Sequence, residues 1–324
     1  MEENSHYSFG AIFQRITDYE SFSFIRGLHI DFAKAELTET QANKLTTSSA
    51  FNNATRPQGK HYDYEVDSIT YAFFGGIENL SIGNNLIFFG DARAEFIEYD
   101  YTNRMISGNT REDGSRCGFG GCYYNRPADR TDDFNELSAR AGISTTLDSI
   151  NYFAQISLGF RPPQINEAYR LQKKQNVTDL DSETLTMFEF GSKFELESLM
   201  GSLSFYQSKK KNSIFRDSQN FIVDNGKTDH KGVELSLSIF VNLRNTINAN
   251  ITYGDHRYDF ETDTSMREKI RVDNKIDTAP KIMANLLWNI NINDDSNLSL
   301  EIEHMDSYYT DAANLHEYEG HTLY

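Results

Sequence analysis

The feature that most limits what this chain can fold into is a period of two, at its cleanest between Asn151 and Leu196. From Tyr152 to Phe160 every second residue is apolar or aromatic (Tyr152, Ala154, Ile156, Leu158, Phe160), with Phe153, Gln155, Ser157 and Gly159 between them. After a loop opening Arg161-Pro162-Pro163 the pattern returns. Phe188, Phe190, Phe194 and Leu196 fall on one side, and Glu189, Gly191, Lys193 and Glu195 on the other. Successive side chains of a strand point to opposite faces of its sheet, so these segments predict strands with one oily face and one polar face.

The same reading along the whole chain predicts about thirteen strands. They lie near 7–16, 21–37, 61–75, 84–103, 132–147, 151–161, 184–197, 200–216, 228–242, 245–258, 278–292, 297–308 and 318–324. Several exceed the roughly 5–6 residues of an average soluble strand and reach the roughly 9–11 needed to cross a bilayer. The connections alternate strictly. Short ones fall near 18, 77–83, 148–150, 197–199, 243–244 and 293–296; long ones near 38–60, 104–131, 162–183, 217–227, 259–277 and 309–317. In an up-and-down sheet alternate connections share an end, so one rim carries tight turns and the other long loops. That is the asymmetry of an outer-membrane barrel.

No apolar run exceeds four residues, which excludes a membrane-spanning helix but not spanning strands. Cost then assigns the faces. Arg93, Arg140, Lys193 and Lys281 fall on the polar side of their strands, and each would cost roughly 2–4 kcal/mol in lipid near mid-bilayer. Four together could consume a typical stability of about 5–15 kcal/mol, so the charged face is predicted to look inward. Acid outnumbers base 48 to 31, so nucleic acid is not an expected partner, because phosphate binding relies on Lys and Arg.

Several segments resemble the C-terminal barrel of TonB-dependent outer-membrane receptors. They are Ser157-Leu-Gly-Phe-Arg-Pro-Pro-Gln, Glu167-Ala-Tyr-Arg-Leu, Leu180-Asp-Ser-Glu183, Phe188-Glu-Phe-Gly-Ser-Lys193, Asn225-Gly226 before His230-Lys-Gly-Val-Glu234, and Thr278-Ala-Pro280. Tyr308-Tyr-Thr-Asp311, Asn314 and Glu319-Gly-His-Thr-Leu323 continue the order, and Cys117-Gly-Phe-Gly-Gly-Cys122 followed by Arg126-Pro-Ala-Asp-Arg130 resembles a loop of one branch. The resemblance implies an all-β, antiparallel up-and-down transmembrane barrel, here about thirteen of roughly 22 strands. It implies that residues 1–324 are a piece of that barrel, without signal peptide, TonB box, plug domain or the last strands.

By the same resemblance the intact protein would import a scarce ligand, most often a ferric siderophore. The TonB–ExbB–ExbD complex would drive it through the plug, with outer-membrane lipid around the wall, no cofactor and no covalent chemistry. Candidate ligand contacts are Tyr123, Tyr124, Arg126, Arg130, Tyr169, Arg170 and Gln172. Candidate plug- or lumen-facing residues are Glu189, Lys193, Glu195, Glu234, Lys281, Glu301 and Glu303. Each has a plainer reading: Arg126 and the tyrosines as packing residues of an ordered loop, Arg161 and its prolines as a strand end, and Lys209-Lys210-Lys211 as a solvated run.

Cys117 and Cys122, the only cysteines, are expected to form a disulfide in an oxidising extracellular loop. Zinc would need ligands this stretch does not supply, and free thiols are the remaining alternative. Asp181, Glu183 and Glu189 are the one carboxylate group worth weighing as a catalytic pair, and lumen carboxylates are ordinary. The rival readings are a passive porin, a soluble secreted carbohydrate-binding β-protein, and an enzyme on a barrel scaffold such as an outer-membrane protease or lipase, for which the sequence shows no nucleophile or carboxylate constellation.

Overall fold

The computed structural model describes every residue except 84, 174, 176–179, 217–220 and 264–268. Parts of the expected connections near 162–183, 217–227 and 259–277 therefore lie outside the described residues. Thirteen strands form a single antiparallel sheet in which spatial order follows chain order. They are β1 (Glu2–Asp18), β2 (Ser23–Gln41), β3 (Gly59–Ile82), β4 (Leu86–Asn103), β5 (Arg130–Leu147), β6 (Ile150–Arg161) and β7 (Glu183–Leu196). After them come β8 (Leu199–Arg216), β9 (Ile222–Asn242), β10 (Asn245–Tyr258), β11 (Ile282–Asn293), β12 (Ser296–Met305) and β13 (His321–Leu323).

The expected alternation of connections is present. Two to four residues separate β1 from β2, β3 from β4, β5 from β6, β7 from β8, β9 from β10 and β11 from β12, all at one rim. The opposite rim carries the long loops, with two short helices, α1 (Ala50–Thr55) and α2 (Ile165–Tyr169). Two boundaries differ from expectation for the same reason. β3 runs on to Ile82, past a register shift between Ile77 and Leu80 where Asn79 is left-handed at φ 57°. β9 begins at Ile222, six residues early, with Asn225 at φ 55° beside another register shift. A bulge interrupts the period of two and uses turn-type residues, so in sequence it imitates a strand end.

Register fixes which side chains share a face. Ala154, Phe190, Phe205, Val233, Tyr253 and Ile282 pair in succession across six strands, a continuous apolar row. The next row holds Gln155, Glu189 and Tyr206 on the other face. The apolar side chains are not gathered into a core: Ile156, Phe188 and Leu300 are each about half exposed. Burial occurs on the opposite face instead, at the long-loop rim, where loops fold over the wall.

The polar face also carries a repeated joint. Gly27 faces Phe74, Phe89 faces Gly142, Phe153 faces Gly191 and Tyr206 faces Gly232, each pair across one ladder. In each, the aromatic ring lies flat where a Cβ on the glycine would sit, at 2.4 to 2.9 Å. Only glycine permits that approach, and the ring supplies the packing that glycine lacks. The joints occupy alternate strand pairs from β2–β3 to β8–β9, fastening the wall from its inner side.

Candidate functional site

At the long-loop rim the polar faces of β2, β3 and β4 present Leu37, Tyr62, Tyr64, Val66 and Tyr101. Cys117, Cys122, Tyr124, Ala168 and Tyr169 pack onto them from two loops. The Tyr101 and Tyr169 rings stack 4.3 Å apart, and Tyr124 stacks 4.4 Å from His61. Apolar burial of several aromatic rings holds the loops against the wall.

Cys117 and Cys122 form the expected disulfide. The turn it closes sits on α1: the Gly118 N–H donates to the Ala54 carbonyl, and the Tyr123 N–H to that of Thr55 at 2.9 Å. Arg126 locks the same loop. Its guanidinium is 2% exposed and donates to the carbonyls of Ile106 (2.7 Å), His61 (3.1 Å), Thr110 (2.8 Å) and Arg111 (3.3 Å). A guanidinium offers five donors in a fixed plane, which suits it to gather carbonyls of a folded loop. The second loop starts where β6 stops at Arg161, whose guanidinium forks onto Glu167 at 2.9 and 3.1 Å and also reaches Glu183. Glu167 in turn accepts from the Gln164 N–H at the start of α2. The prolines thus end the ladder, as their missing N–H requires.

Between these loops and the wall lies a cavity of about 400 Å³. Glu39 and Gln41 of β2, Arg56 after α1, and His61 and Tyr62 of β3 form one part of its lining. Tyr123, Tyr124, Asn166, Arg170, Gln172 and Arg216 form the rest. Arg56 lies over the Tyr123 ring at 3.9 Å from its centroid. Arg170 donates to Glu39 at 2.5 Å and to Glu2 at 2.8 Å. Burial of Arg170 works against its charge, and the Glu39 and Glu2 carboxylates more than restore it. The lining therefore holds three guanidiniums against one carboxylate, with aromatic rings alongside. Such a lining offers charge-assisted hydrogen-bond donors and aromatic faces for stacking.

Of the seven candidate contacts, the structure brings Tyr123, Tyr124, Arg170 and Gln172 to this cavity. Arg126 and Tyr169 do not face it. Arg126 is spent on carbonyls, and Tyr169 is fully buried with its hydroxyl donating to Asp132 at 2.7 Å. Burial and the Asp132 carboxylate push the Tyr169 phenol up, so it stays a neutral donor. Arg130 pairs with Asp132 at the start of β5. Glu39, Arg56, His61 and Arg216 were not expected. They come from four separate stretches of chain, and no local pattern marks them.

On the wall, Glu189, Lys193, Glu195, Glu234, Glu301 and Glu303 share the polar face by register. Glu189 accepts from Gln155 at 2.6 Å, Glu301 from Asn285 at 2.8 Å, and Lys193 sits over the Phe153 ring. Lys281 is a correction. Its ammonium lies 5.2 Å from the ring of Tyr253, a residue of the apolar face. The Lys281 carbonyl accepts from the Gly254 N–H of β10 at 2.8 Å, one residue before the register pairs that begin at Ile282. Lys210 reaches Glu183 at 2.8 Å and Lys209 reaches Asp229 at 3.2 Å, so two of the three consecutive lysines are paired. His230 and His256, 26 residues apart, meet at 3.0 Å across β9 and β10. Among the described residues, no group of three or more His, Cys, Asp or Glu is placed to hold a metal ion.

A family model described as TonB dependent receptor-like, beta-barrel matches residues 3–324. No curated protein matches the sequence. Solved structures share the fold at low identity. The ferric citrate transporter FecA in its unliganded form has a TM-score of 0.72 at 16% identity, over 99% of this chain and 46% of that one. The ferric yersiniabactin uptake receptor FyuA from Yersinia pestis has a TM-score of 0.71 at 14% identity, over 99% and 46%. The copper transporter OprC has a TM-score of 0.76 at 12% identity, over 99% and 48%. The chain thus spans about half the length of the solved proteins it matches. TonB-dependent receptors are outer-membrane transporters rather than enzymes. With a family match over nearly its whole length and a wall of thirteen sequentially paired strands, the chain belongs to the TonB-dependent receptor β-barrel family.

Proposed function

We propose that this chain forms part of the wall and the ligand-capturing rim of an energised outer-membrane importer. The observation that carries this reading is the cavity under the long loops, where Arg56, Arg170 and Arg216 converge beside Tyr123 and Tyr124. An anionic metal chelate, most simply a ferric siderophore, has the charge and the ring surface to fill it. In this reading residues 1–324 belong to a barrel completed by sequence outside this chain, around a plug that the TonB–ExbB–ExbD complex pulls. The charged inner wall then touches plug and water, and the apolar face touches lipid.

The test uses a strain deleted for the receptor gene and complemented with the receptor carrying this chain. Replacing Arg56 and Arg170 by Ala removes two charge-assisted contacts, each worth roughly 1.5–3 kcal/mol. Ferric-chelate binding should weaken by at least about tenfold while receptor abundance at the surface stays the same. Uptake should stop when an uncoupler collapses the proton gradient. Uptake that continues without the gradient would point to a passive porin, and unchanged binding by the double variant would remove the cavity from the account.

A further inference from the structure

Two short ion pairs close one corner of the cavity. The Arg170 guanidinium donates through one nitrogen, Nη2, to Glu39 of β2 at 2.5 Å and to Glu2 of β1 at 2.8 Å. Glu2 and Glu39 are direct partners across the β1–β2 ladder, so their side chains share a face. Like charges set opposite each other repel, and Arg170 sits between them. Two carboxylates against one guanidinium make this corner acidic, while Arg56 and Arg216 make the rest of the lining basic.

These pairs are not what holds the loop in place. Arg170 lies between Tyr169 and Leu171, and those two residues anchor the backbone. Tyr169 is buried, stacked on Tyr101 and bonded to Asp132. Leu171 is buried as well; its carbonyl accepts from the Tyr62 hydroxyl at 2.5 Å, and it pairs with Asn125. Glu39 is seated just as independently, by its ladders to Glu2 and Tyr62. The charged groups themselves stay open: the Arg170 side chain is 30%, Glu39 25% and Glu2 38% exposed. Water can therefore solvate either carboxylate when the guanidinium turns to another anion, and no charge is left buried without a partner.

We propose that Glu39 is a displaceable carboxylate on Arg170, and that the ligand of this cavity carries a carboxylate which takes its place. The inference deepens the capture reading given above and rests on it. Glu39 and Arg170 both line the cavity, and Arg170 already receives a carboxylate oxygen there, so a ligand carboxylate replaces Glu39 without moving the arginine. An anion that meets Arg170 only after Glu39 leaves binds with an affinity reduced by the fraction of time the pair is open. A neutral ligand has nothing to offer in exchange. Glu39 thereby sets the class of ligand as well as lowering its affinity.

The receptor carrying this chain is purified from outer membranes, and modification of Arg170 by phenylglyoxal is followed by mass spectrometry of its peptide. The probe is trimesate, a flat benzene ring bearing three carboxylates. Trimesate should protect Arg170, the neutral triamide of the same ring should not, and inorganic phosphate should protect less well. Glu39→Gln should lower the trimesate concentration for half protection by about fivefold or more, because one competing charge is gone. Glu39→Asp, which withdraws the carboxylate by one methylene, should shift it the same way and serves where the Gln variant fails to assemble. Weaker protection in the variants would make Glu39 a positioning residue for Arg170 and overturn the proposal. Unchanged protection, no protection of the unaltered protein, or equal protection by phosphate overturns it too. Each of these results leaves the capture reading standing. Ferric-chelate binding that survives loss of both Arg56 and Arg170 overturns the capture reading, and this inference with it.

Discussion

A single hydrogen atom in place of a side chain decides how closely this wall can be built. At Gly232 the Tyr206 hydroxyl occupies the space a Cβ would need, 2.5 Å away, with the Tyr253 carbonyl at 2.6 Å behind it. Gly232→Val must displace the ring, the backbone or both, and overpacking of this kind costs about 1–3 kcal/mol. Urea unfolding of the purified receptor should show that loss, and Tyr206→Ala combined with Gly232→Val should recover part of it. An unchanged midpoint for the single variant would show that the joint is not tight.

Residue identity also explains why the candidate site was only half legible. Tyr123, Tyr124, Arg170 and Gln172 could be singled out because they stand in loops of recognisable pattern. Arg126 stands in the same pattern, yet its guanidinium is consumed by backbone carbonyls, a role that depends on how the loop closes. Arg56 and Arg216 reach the cavity only because the wall brings residues 160 apart together.

At the scale of elements, the loops are ordered by local devices rather than by length. The loop between β12 and β13 turns on Asp311, which accepts from the Leu315 N–H at 3.1 Å and the His316 N–H at 2.8 Å. Burial alone would raise its carboxyl, and those two donors, with the His316 ring, outweigh it and hold it below the ordinary 3.8. A carboxyl depressed in the folded state stabilises at pH above its unfolded value, and that contribution disappears as pH falls through the folded one. Hydrogen exchange at the Leu315 and His316 amides should therefore be slow at neutral pH and faster in Asp311→Ala. The two proteins should converge only as pH falls through the depressed folded-state value of Asp311. Equal exchange at neutral pH would show that the carboxylate does not hold the turn.

Strand number, strand order and the alternation of short and long connections were legible because each rests on the period of two, which the chain keeps over long stretches. Bulges at Asn79 and Asn225 were not, since a local break in alternation reads like a turn. Lys281, just before β11, places its ammonium by the Tyr253 ring rather than with the wall carboxylates, which alternation alone does not foretell at a strand end.

At the scale of the whole molecule, one division organises the rest. A continuous apolar face runs from β1 to β12, and the face opposite carries the carboxylates, the aromatic–glycine joints and the folded loops. In a water-soluble protein such an apolar face would have to meet a second layer, and here it meets none among the described residues. The family model that matches residues 3–324 describes such a wall as a beta-barrel. Hydrocarbon is the environment that removes the exposed apolar surface from water without a second sheet, and the interior strands meet its demand that backbone groups be bonded to neighbours.

The most direct measurement places single cysteines, each carrying a small fluorophore, along β7 and β10 of the receptor in lipid vesicles. The probes are quenched in turn by brominated lipid tails and by a water-soluble ion. Positions 188, 190 and 251 should respond to the brominated tails, and positions 189, 193 and 250 to the ion. The opposite assignment, or tail quenching on neither face, would contradict the account.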